Sequence, residues 1–166
     1  MRKSAVIAIA VVIVAVAAGV AIYEYYGTMG TLRVAVADAP VGNVSAVYIT
    51  FSSIALHGNS SGWTNYSLSS RTVDIYDLTV SNATILGNLT VHSGKYTMIR
   101  VYITNVVVTI GGVNETFRLA SKAGFLNHPF TIAPHTTVGF TLEFDLHQCL
   151  NLNAMIFTPY LGVVVS

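Results

Sequence analysis

The stretch Y-T-M-I-R-V-Y-I, residues 96–103, decides which class of fold this chain can adopt. It is rich in β-branched and aromatic residues, which favour the pleated surface of a sheet. Apolar residues fall on both of its alternating faces, which predicts a central strand. A second β-rich run, residues 106–110, follows and ends at Gly111 and Gly112. Gly-Gly between two β-rich runs predicts a tight hairpin, whose return arm we place at residues 117–119.

Shorter strands are predicted on both sides of this segment. Leu32, Val34 and Val36 alternate with polar or small residues, which is the pattern of a half-buried strand. Turn residues separate such runs along the chain, so we predict strands over residues 31–38, 47–56, 73–75, 130–133, 136–147, 155–157 and 160–165. The segments between them are predicted to be a polar loop over 57–70, a helical turn around 83–86 before a short strand, and an irregular segment over 121–128.

This arrangement predicts an all-β protein. Roughly eight to ten short strands, with turn signals about every 8 to 12 residues, are typical of a β-sandwich or barrel. No strand alternates regularly with a helix, which argues against a doubly wound α/β fold. The apolar positions of the strands predict a buried core that includes Leu32, Val34, Val36, Ile49, Phe51, Ile99, Val101, Phe140, Leu142 and Phe144.

The N-terminus has a different pattern. The twenty residues from Ser4 to Tyr23 carry no charge, and a helix of that length rises about 30 Å, the thickness of a bilayer's hydrocarbon core. Arg2 and Lys3 precede the run, so the positive-inside rule keeps the N-terminus in the cytoplasm. We therefore expect a transmembrane anchor or signal segment at residues 1–26, and an extracellular domain at residues 27–166.

Two other interpretations of this run stay open. The first is a secretory signal peptide that is removed. The run is longer than the apolar core of most signal peptides, but small residues within it would still permit cleavage. The head Arg2-Lys3-Ser4-Ala5 is similar to the processing site of an archaeal pilin, in which a long apolar helix precedes a β-rich head. The chain would then be a subunit of an extracellular filament.

The composition excludes some functions and suggests one modification. Charged residues make up 9% of the chain, and no basic patch indicates nucleic-acid binding. The chain contains more N-x-S/T sequons than chance would place, which is roughly two. In an exported domain these are acceptors for N-linked glycans. The expected glycosylation sites are Asn43, Asn59, Asn65, Asn82, Asn88 and Asn114.

The C-terminal part carries no sequon after Thr116. Its last predicted strand, residues 160–165, has no charged residue to protect a sheet edge. We therefore expect that strand to be central in its sheet, or to be covered by a neighbouring molecule or by the segment next to the membrane.

Few residues suggest catalysis or metal binding. Glu143, Asp145 and His147 fall on one face of a predicted strand, because side chains two positions apart point the same way. Such a set can bind a metal or transfer a proton, but the wet face of a half-buried strand has the same pattern. We favour the wet face, and we expect no enzyme activity, no metal and no cofactor.

Two further groups receive structural interpretations. Asp38, Asp74 and Asp77 lie at strand ends, where they would either converge on Ca²⁺ or form turns, and we favour turns. Cys149 is the single cysteine, which excludes a disulfide within the chain, and we expect it to be buried.

Several motifs resemble one family when they are taken in order. These are G-T-L-R-V-A-V-A-D-A-P at 30–40, V-Y-I-T-F-S-S-I-A-L-H at 47–57, G-K-Y-T-M-I-R-V at 94–101 and T-L-E-F-D-L at 141–146. Together they resemble the domain of unknown function numbered 4382, over about residues 30–165. That family occurs in exported archaeal and bacterial proteins, and the resemblance implies a transthyretin- or immunoglobulin-like β-sandwich. It implies no activity.

These observations predict a membrane-anchored, N-glycosylated cell-surface protein with a structural or binding role. The expected partners are membrane lipid through residues 4–23, N-linked glycans, and a second copy or another protein of the cell envelope. The alternative is the pilin-like filament subunit.

Overall fold

The computed structural model describes residues 2–39, 42–76 and 78–165. Within these ranges it describes all side chains except those of residues 2–10, 26, 39, 80 and 163–165. One long helix, α1 (Arg2–Gly27), covers the apolar N-terminal run and is followed by strands. In the part of the chain with described side chains, no helix is both long and apolar enough to span a bilayer.

The strands follow α1 with short connections. A 3₁₀ turn at Val80–Asn82 precedes the fourth strand, and a helical turn, α2 (Leu146–Cys149), follows the ninth. The strands are β1 (Met29–Ala39), β2 (Val44–Gly58), β3 (Gly62–Asp74), β4 (Thr84–His92), β5 (Gly94–Ile110), β6 (Val113–Thr116), β7 (Arg118–Leu119), β8 (Ala123–Ile132), β9 (Thr137–Asp145), β10 (Leu150–Asn151), β11 (Ile156–Phe157) and β12 (Leu161–Val165).

These strands form two main sheets that enclose one core. Sheet A has the order β12-β9-β1-β4, with β1 and β9 parallel. Sheet B has the order β3-β2-β5, and β5 then pairs with β8 along one half and with β6 along the other. A small sheet, β10-β11-β7, lies beside them. The predicted β-sandwich is confirmed, and all ten predicted core residues are buried.

Strand β5 is longer than predicted, because the two β-rich runs form a single strand. It contributes a row of buried side chains to the core, among them Ile99, Val101, Ile103 and Val106. It is paired along both edges, by β2 on one side and by β8 and β6 on the other. The prediction of a central strand is therefore confirmed.

The predicted loop over residues 57–70 is wrong. β2 continues to Gly58, a turn at residues 59–61 follows, and β3 then pairs with β2 along most of its length. Gly62 ends the turn with a φ of +69°, a conformation that glycine adopts without strain. β3 is an edge strand with mostly exposed side chains. Its polar composition therefore reflects a wet strand and not a loop.

The predicted irregular segment over residues 121–128 is also wrong, because β8 begins at Ala123. Gly124 and Pro129 interrupt the alternating pattern of this segment, so the sequence does not indicate a strand there. At Gly124 a Cβ atom would lie 2.8 Å from Cδ1 of Leu161, so a larger residue there would require the Leu161 side chain to shift. Pro129 lies where the β5–β8 register shifts, between the pairs of Tyr96 and Met98. A proline is tolerated at such an irregularity.

Smaller errors concern the ends of elements. The return arm of the Gly-Gly hairpin is β6, and residues 118–119 pair instead with β11. The helical turn predicted around residues 83–86 is wrong, because β4 begins at Thr84 and extends over nine residues. A 3₁₀ turn at Val80–Asn82 precedes it. β12 lies at the edge of sheet A, so it is not central. Tyr160, the residue before β12, forms a bridge with Phe125 of β8.

The substitution Phe140→Ala tests the packing of this core. Phe140 is buried and packs against the ring of Phe130, with ring centroids 4.6 Å apart. We expect its loss to lower the free energy of unfolding by about 3 to 5 kcal/mol, through lost burial and the cavity left behind. Val113→Ala, at a position that is 58% exposed, is the control and should change it by less than about 0.5 kcal/mol. A loss below about 1 kcal/mol for Phe140→Ala in denaturant titration would contradict this account of the core.

Candidate binding surface

The outer face of sheet B carries a cluster of exposed rings around one arginine. The strand register places Ala55 on β2 beside Arg100 on β5, and Arg100 beside Phe125 on β8. Trp63 approaches from β3, where it pairs with His57. We call the outward side chains of Trp63, Arg100, Tyr102 and Phe125 the aromatic–arginine surface.

Arg100 is held between two rings. Its guanidinium carbon lies 4.2 Å from the ring centroid of Trp63 and 4.5 Å from that of Phe125. Its Nη1 donates a hydrogen bond to the hydroxyl of Tyr102 at 3.0 Å. Within the described part of the chain, its buried Nε has no hydrogen-bond partner. The attraction of the cation to the ring faces therefore contributes much of what holds this side chain.

The neighbours of Trp63 explain its position. Ala55 is 2% exposed although it points to the outer face, so larger side chains cover it. The ring of His57 contacts that of Trp63 edge-on, with centroids 5.1 Å apart. His57 in turn shares a hydrogen bond of 2.9 Å with Thr97 through Nδ1. A small residue flanked by large ones thus lets the indole lie close to the sheet.

The chain leaves this surface partly open. Trp63 is 39% exposed and Phe125 is 55% exposed. An aromatic ring has an electron-rich face that attracts polarised C–H groups and cations, and a guanidinium edge donates hydrogen bonds to oxygen atoms. The surface therefore suits a ligand with an apolar face and hydroxyl groups at its rim. The polar composition around Trp63 predicts a loop, so this surface is not predicted from the sequence, although Trp63, Asn65 and Ser67 have the two-residue period of a strand.

The sequon asparagines lie on the surface of the domain. All six predicted acceptors are exposed. Three of them accept a hydrogen bond through the side-chain oxygen. Thr79 Oγ1 donates to Asn82 Oδ1. Arg33 Nε donates to Asn88 Oδ1, and Thr109 Oγ1 donates to Asn114 Oδ1. The glycan would be attached to the other atom, Nδ2. The occupancy of the sites stays a prediction, and their exposure permits it.

The acidic residues that were predicted to share a strand face are only partly brought together. Glu143 and Asp145 lie on β9, but His147 lies on α2, because the strand ends at Asp145. Asp145 caps this turn: its Oδ1 accepts from the backbone N–H of His147 at 3.1 Å, and its Oδ2 from Gln148 Nε2 at 2.6 Å. The set of three on one strand face is therefore wrong, and Asp145 has a local structural role.

Glu143 and Asp145 do line a cleft of about 400 Å³, together with Gln148, Tyr160, Leu161 and Gly162. Among the residues with described side chains, no three His, Cys, Asp or Glu residues are grouped as a metal site requires. Asp74 forms a turn, since its Oδ1 accepts from the backbone N–H groups of Val47 and Tyr76. Asp38 is buried at 5% exposure, and Asp77 lies outside the described residues.

Cys149 is buried beside this cleft, as predicted. Its Sγ accepts a hydrogen bond from the backbone N–H of Tyr160 at 3.3 Å. Burial raises the pKa of the thiol to about 12, because the thiolate would lose its hydration. The reactive form is therefore scarce at neutral pH.

Comparison with known proteins gives one family, and the chain is also similar to solved structures that include the two below. Residues 29–159 match the model of a family described as a domain of unknown function, DUF4382. No curated protein matches the chain at a significant level. A candidate cell-adhesion protein of Bacteroides eggerthii matches at 13% identity and a TM-score of 0.37, over 84% of this chain and 55% of its own. A fimbrial protein of Bacteroides vulgatus matches at 13% identity and a TM-score of 0.38, over 83% and 54%. The chain thus spans about half the length of these structures.

The substitution Arg100→Gln tests the aromatic–arginine surface. Trp63 is the single tryptophan of the chain, so its fluorescence reports on this surface alone. Losing the cation should cost about 1 kcal/mol of unfolding free energy and shift the emission of Trp63 to longer wavelength as the indole becomes wetter. Arg118→Gln is the control, because Arg118 is exposed on β7 in the small sheet. Equal spectra and equal stability for the two variants would contradict the packing of Arg100 between the rings.

The accessibility of Cys149 provides a second test. A thiol with a pKa of about 12 is almost entirely protonated at pH 8, so an aromatic disulfide reagent should label the folded chain only as fast as the chain unfolds. Because the folded-state pKa lies above the unfolded value, the thiol's contribution to stability is complete below about pH 9 and is lost as the pH rises towards 12. Labelling in native buffer at the rate of a free thiol would contradict the burial.

Proposed function

The chain belongs to the DUF4382 family, and we propose that it is a cell-surface protein anchored in the membrane by residues 4–23. Its sandwich domain lies outside the cell, carries N-linked glycans and has a structural or binding role. We propose no catalytic activity for it. The sequence of the N-terminal run supports the anchor, since Arg2 and Lys3 precede twenty uncharged residues.

The junction between α1 and β1 is the observation that carries this proposal. Thr28 is the single residue between the two elements. Its Oγ1 donates to the backbone oxygen of Tyr25 at 3.0 Å, and its own backbone oxygen accepts from the N–H of Ser93 at 2.6 Å. The ring of Tyr25 also contacts that of His92 edge-on. An anchor joined this tightly would hold the domain close to the bilayer surface.

The distribution of charge supports the same orientation. His92, Lys95 and His135 lie at the end of the sandwich next to α1, because His92 pairs with Met29, Lys95 follows closely, and the N–H of His135 donates to the oxygen of Met29. The described carboxylates of the domain lie at the opposite end or towards it: they are Asp38, Asp74, Glu115, Glu143 and Asp145. Glu24 on α1 is the one described carboxylate near this end, so the domain itself adds little repulsion by anionic headgroups there.

Protease treatment of intact cells tests the proposal. We expect the chain to stay in the membrane fraction after alkaline washing, and external protease to digest the domain after Gly27. The variant Arg2→Glu with Lys3→Glu is the matched control, because it removes the charges that set the orientation and should lower the digested fraction. A domain that is protected in intact cells but digested after lysis would lie in the cytoplasm, and the proposal would be wrong.

A pilin-like filament subunit is the second candidate. The similarity of Arg2-Lys3-Ser4-Ala5 to a processing site favours it, as does the uncharged strand β12 at the edge of sheet A. N-terminal sequencing of the mature protein separates the two candidates. A start at Ala5 indicates pilin processing, and an intact Met1 indicates an anchor.

A further inference from the structure

We propose that the glycan on Asn65 folds back onto the aromatic–arginine surface, which then serves as an intramolecular carbohydrate-binding site. The ligand class is the first sugars of an N-linked chain. This inference rests on the proposed function, because it requires export and glycosylation.

The strand geometry brings the attachment site next to the rings. Trp63 and Asn65 are two residues apart on β3, so their side chains leave the same face of the strand. Both are exposed. β3 is the edge strand of sheet B, which leaves one side of Asn65 open for the glycosylating enzyme and for the glycan.

The register extends this proximity across the sheet. Asn65 pairs with Ala55, Ala55 with Arg100, and Arg100 with Phe125. Neighbouring strands lie about 4.8 Å apart, so Arg100 is about 10 Å from Asn65, a distance that the first sugars of a glycan can cover. Ala55, between them, is 2% exposed, so the sugars would lie over the larger side chains that cover it.

The chemistry of the surface fits a sugar. A pyranose ring presents C–H groups on one face and hydroxyl groups around its rim. The C–H face can stack on the exposed parts of the Trp63 and Phe125 rings that Arg100 does not cover. Arg100 can donate hydrogen bonds to hydroxyl oxygens at the rim. The ring faces accept a neutral sugar, and the cation of Arg100, with no carboxylate among the described residues in the row from Asn65 to Phe125, also permits an acidic one.

Another sequon lacks this arrangement and provides the control. Asn114 also lies on a strand, but the residue two positions before it is Gly112, which has no side chain to stack on a sugar. A glycan there should extend into solvent. Ser67→Ala removes the Asn65 sequon and Thr116→Ala removes the Asn114 sequon, and both substitutions fall at exposed positions without altering the asparagine itself.

The experiment measures acrylamide quenching of Trp63 fluorescence in the full-length glycosylated protein, purified in detergent. Because Trp63 is the single tryptophan, the quenching constant reports its exposure directly. A covering sugar should shield the indole face, so we expect Ser67→Ala to raise the constant about twofold. We expect Thr116→Ala to leave it unchanged.

Three results would overturn the inference. The first is an equal quenching constant for the wild type and Ser67→Ala when mass spectrometry shows that Asn65 is glycosylated in the wild type. The second is a bare Asn65 in a chain whose other sequons are occupied. The third is shielding of Trp63 in Ser67→Ala that disappears on dilution, because a second copy would then cover the surface. None of these three results bears on the proposed membrane anchor, because protease treatment of intact cells tests the anchor separately.

Discussion

The pairing of β5 along both of its edges is the constraint on which the rest of this structure depends. Hydrogen bonds from β2 on one side and from β8 and β6 on the other satisfy its backbone groups, which an interior strand must do. Its apolar inner face then packs against sheet A, where Phe140 and Leu142 are buried. Ordering a seventeen-residue strand costs conformational entropy, and burial of its apolar side chains offsets this cost. An edge strand with exposed side chains, such as β3, buries less apolar surface.

The same pairing creates the aromatic–arginine surface. An arginine in the middle of the central strand must point either into the core, where an unpaired charge is costly, or to the outer face. The alternation of β5 sends Arg100 outward, between the strands that carry Trp63 and Phe125. The rings shield the arginine stem, and the cation keeps the rings ordered on a face that would otherwise be an exposed apolar patch. The register of β5 therefore determines both the pairing of sheet B and the position of the aromatic–arginine surface.

The sequence predicted what periodicity and composition control. The β-sandwich, the central strand, the ten core residues, the burial of Cys149 and the family resemblance are all confirmed. It failed where an edge strand has the composition of a loop, as in β3, and where tertiary contacts decide a residue, as at Gly124. His147 was misplaced because a strand end is set by the local bonds of Asp145, and alternation carries no signal of those bonds. The aromatic–arginine surface takes its side chains from three strands, β3, β5 and β8, so no local window of sequence contains it.

Native-state hydrogen exchange of backbone amides is the most direct test of the central role of β5. Amides that open only in global unfolding exchange most slowly. The account predicts that the amides of Ile99, Arg100 and Val101 exchange with the free energy of global unfolding, whereas the outward amides of the edge strands β3 and β12 exchange through smaller openings. Exchange in β5 as fast as in β3 would contradict the account, because the central strand would then not hold the sandwich together.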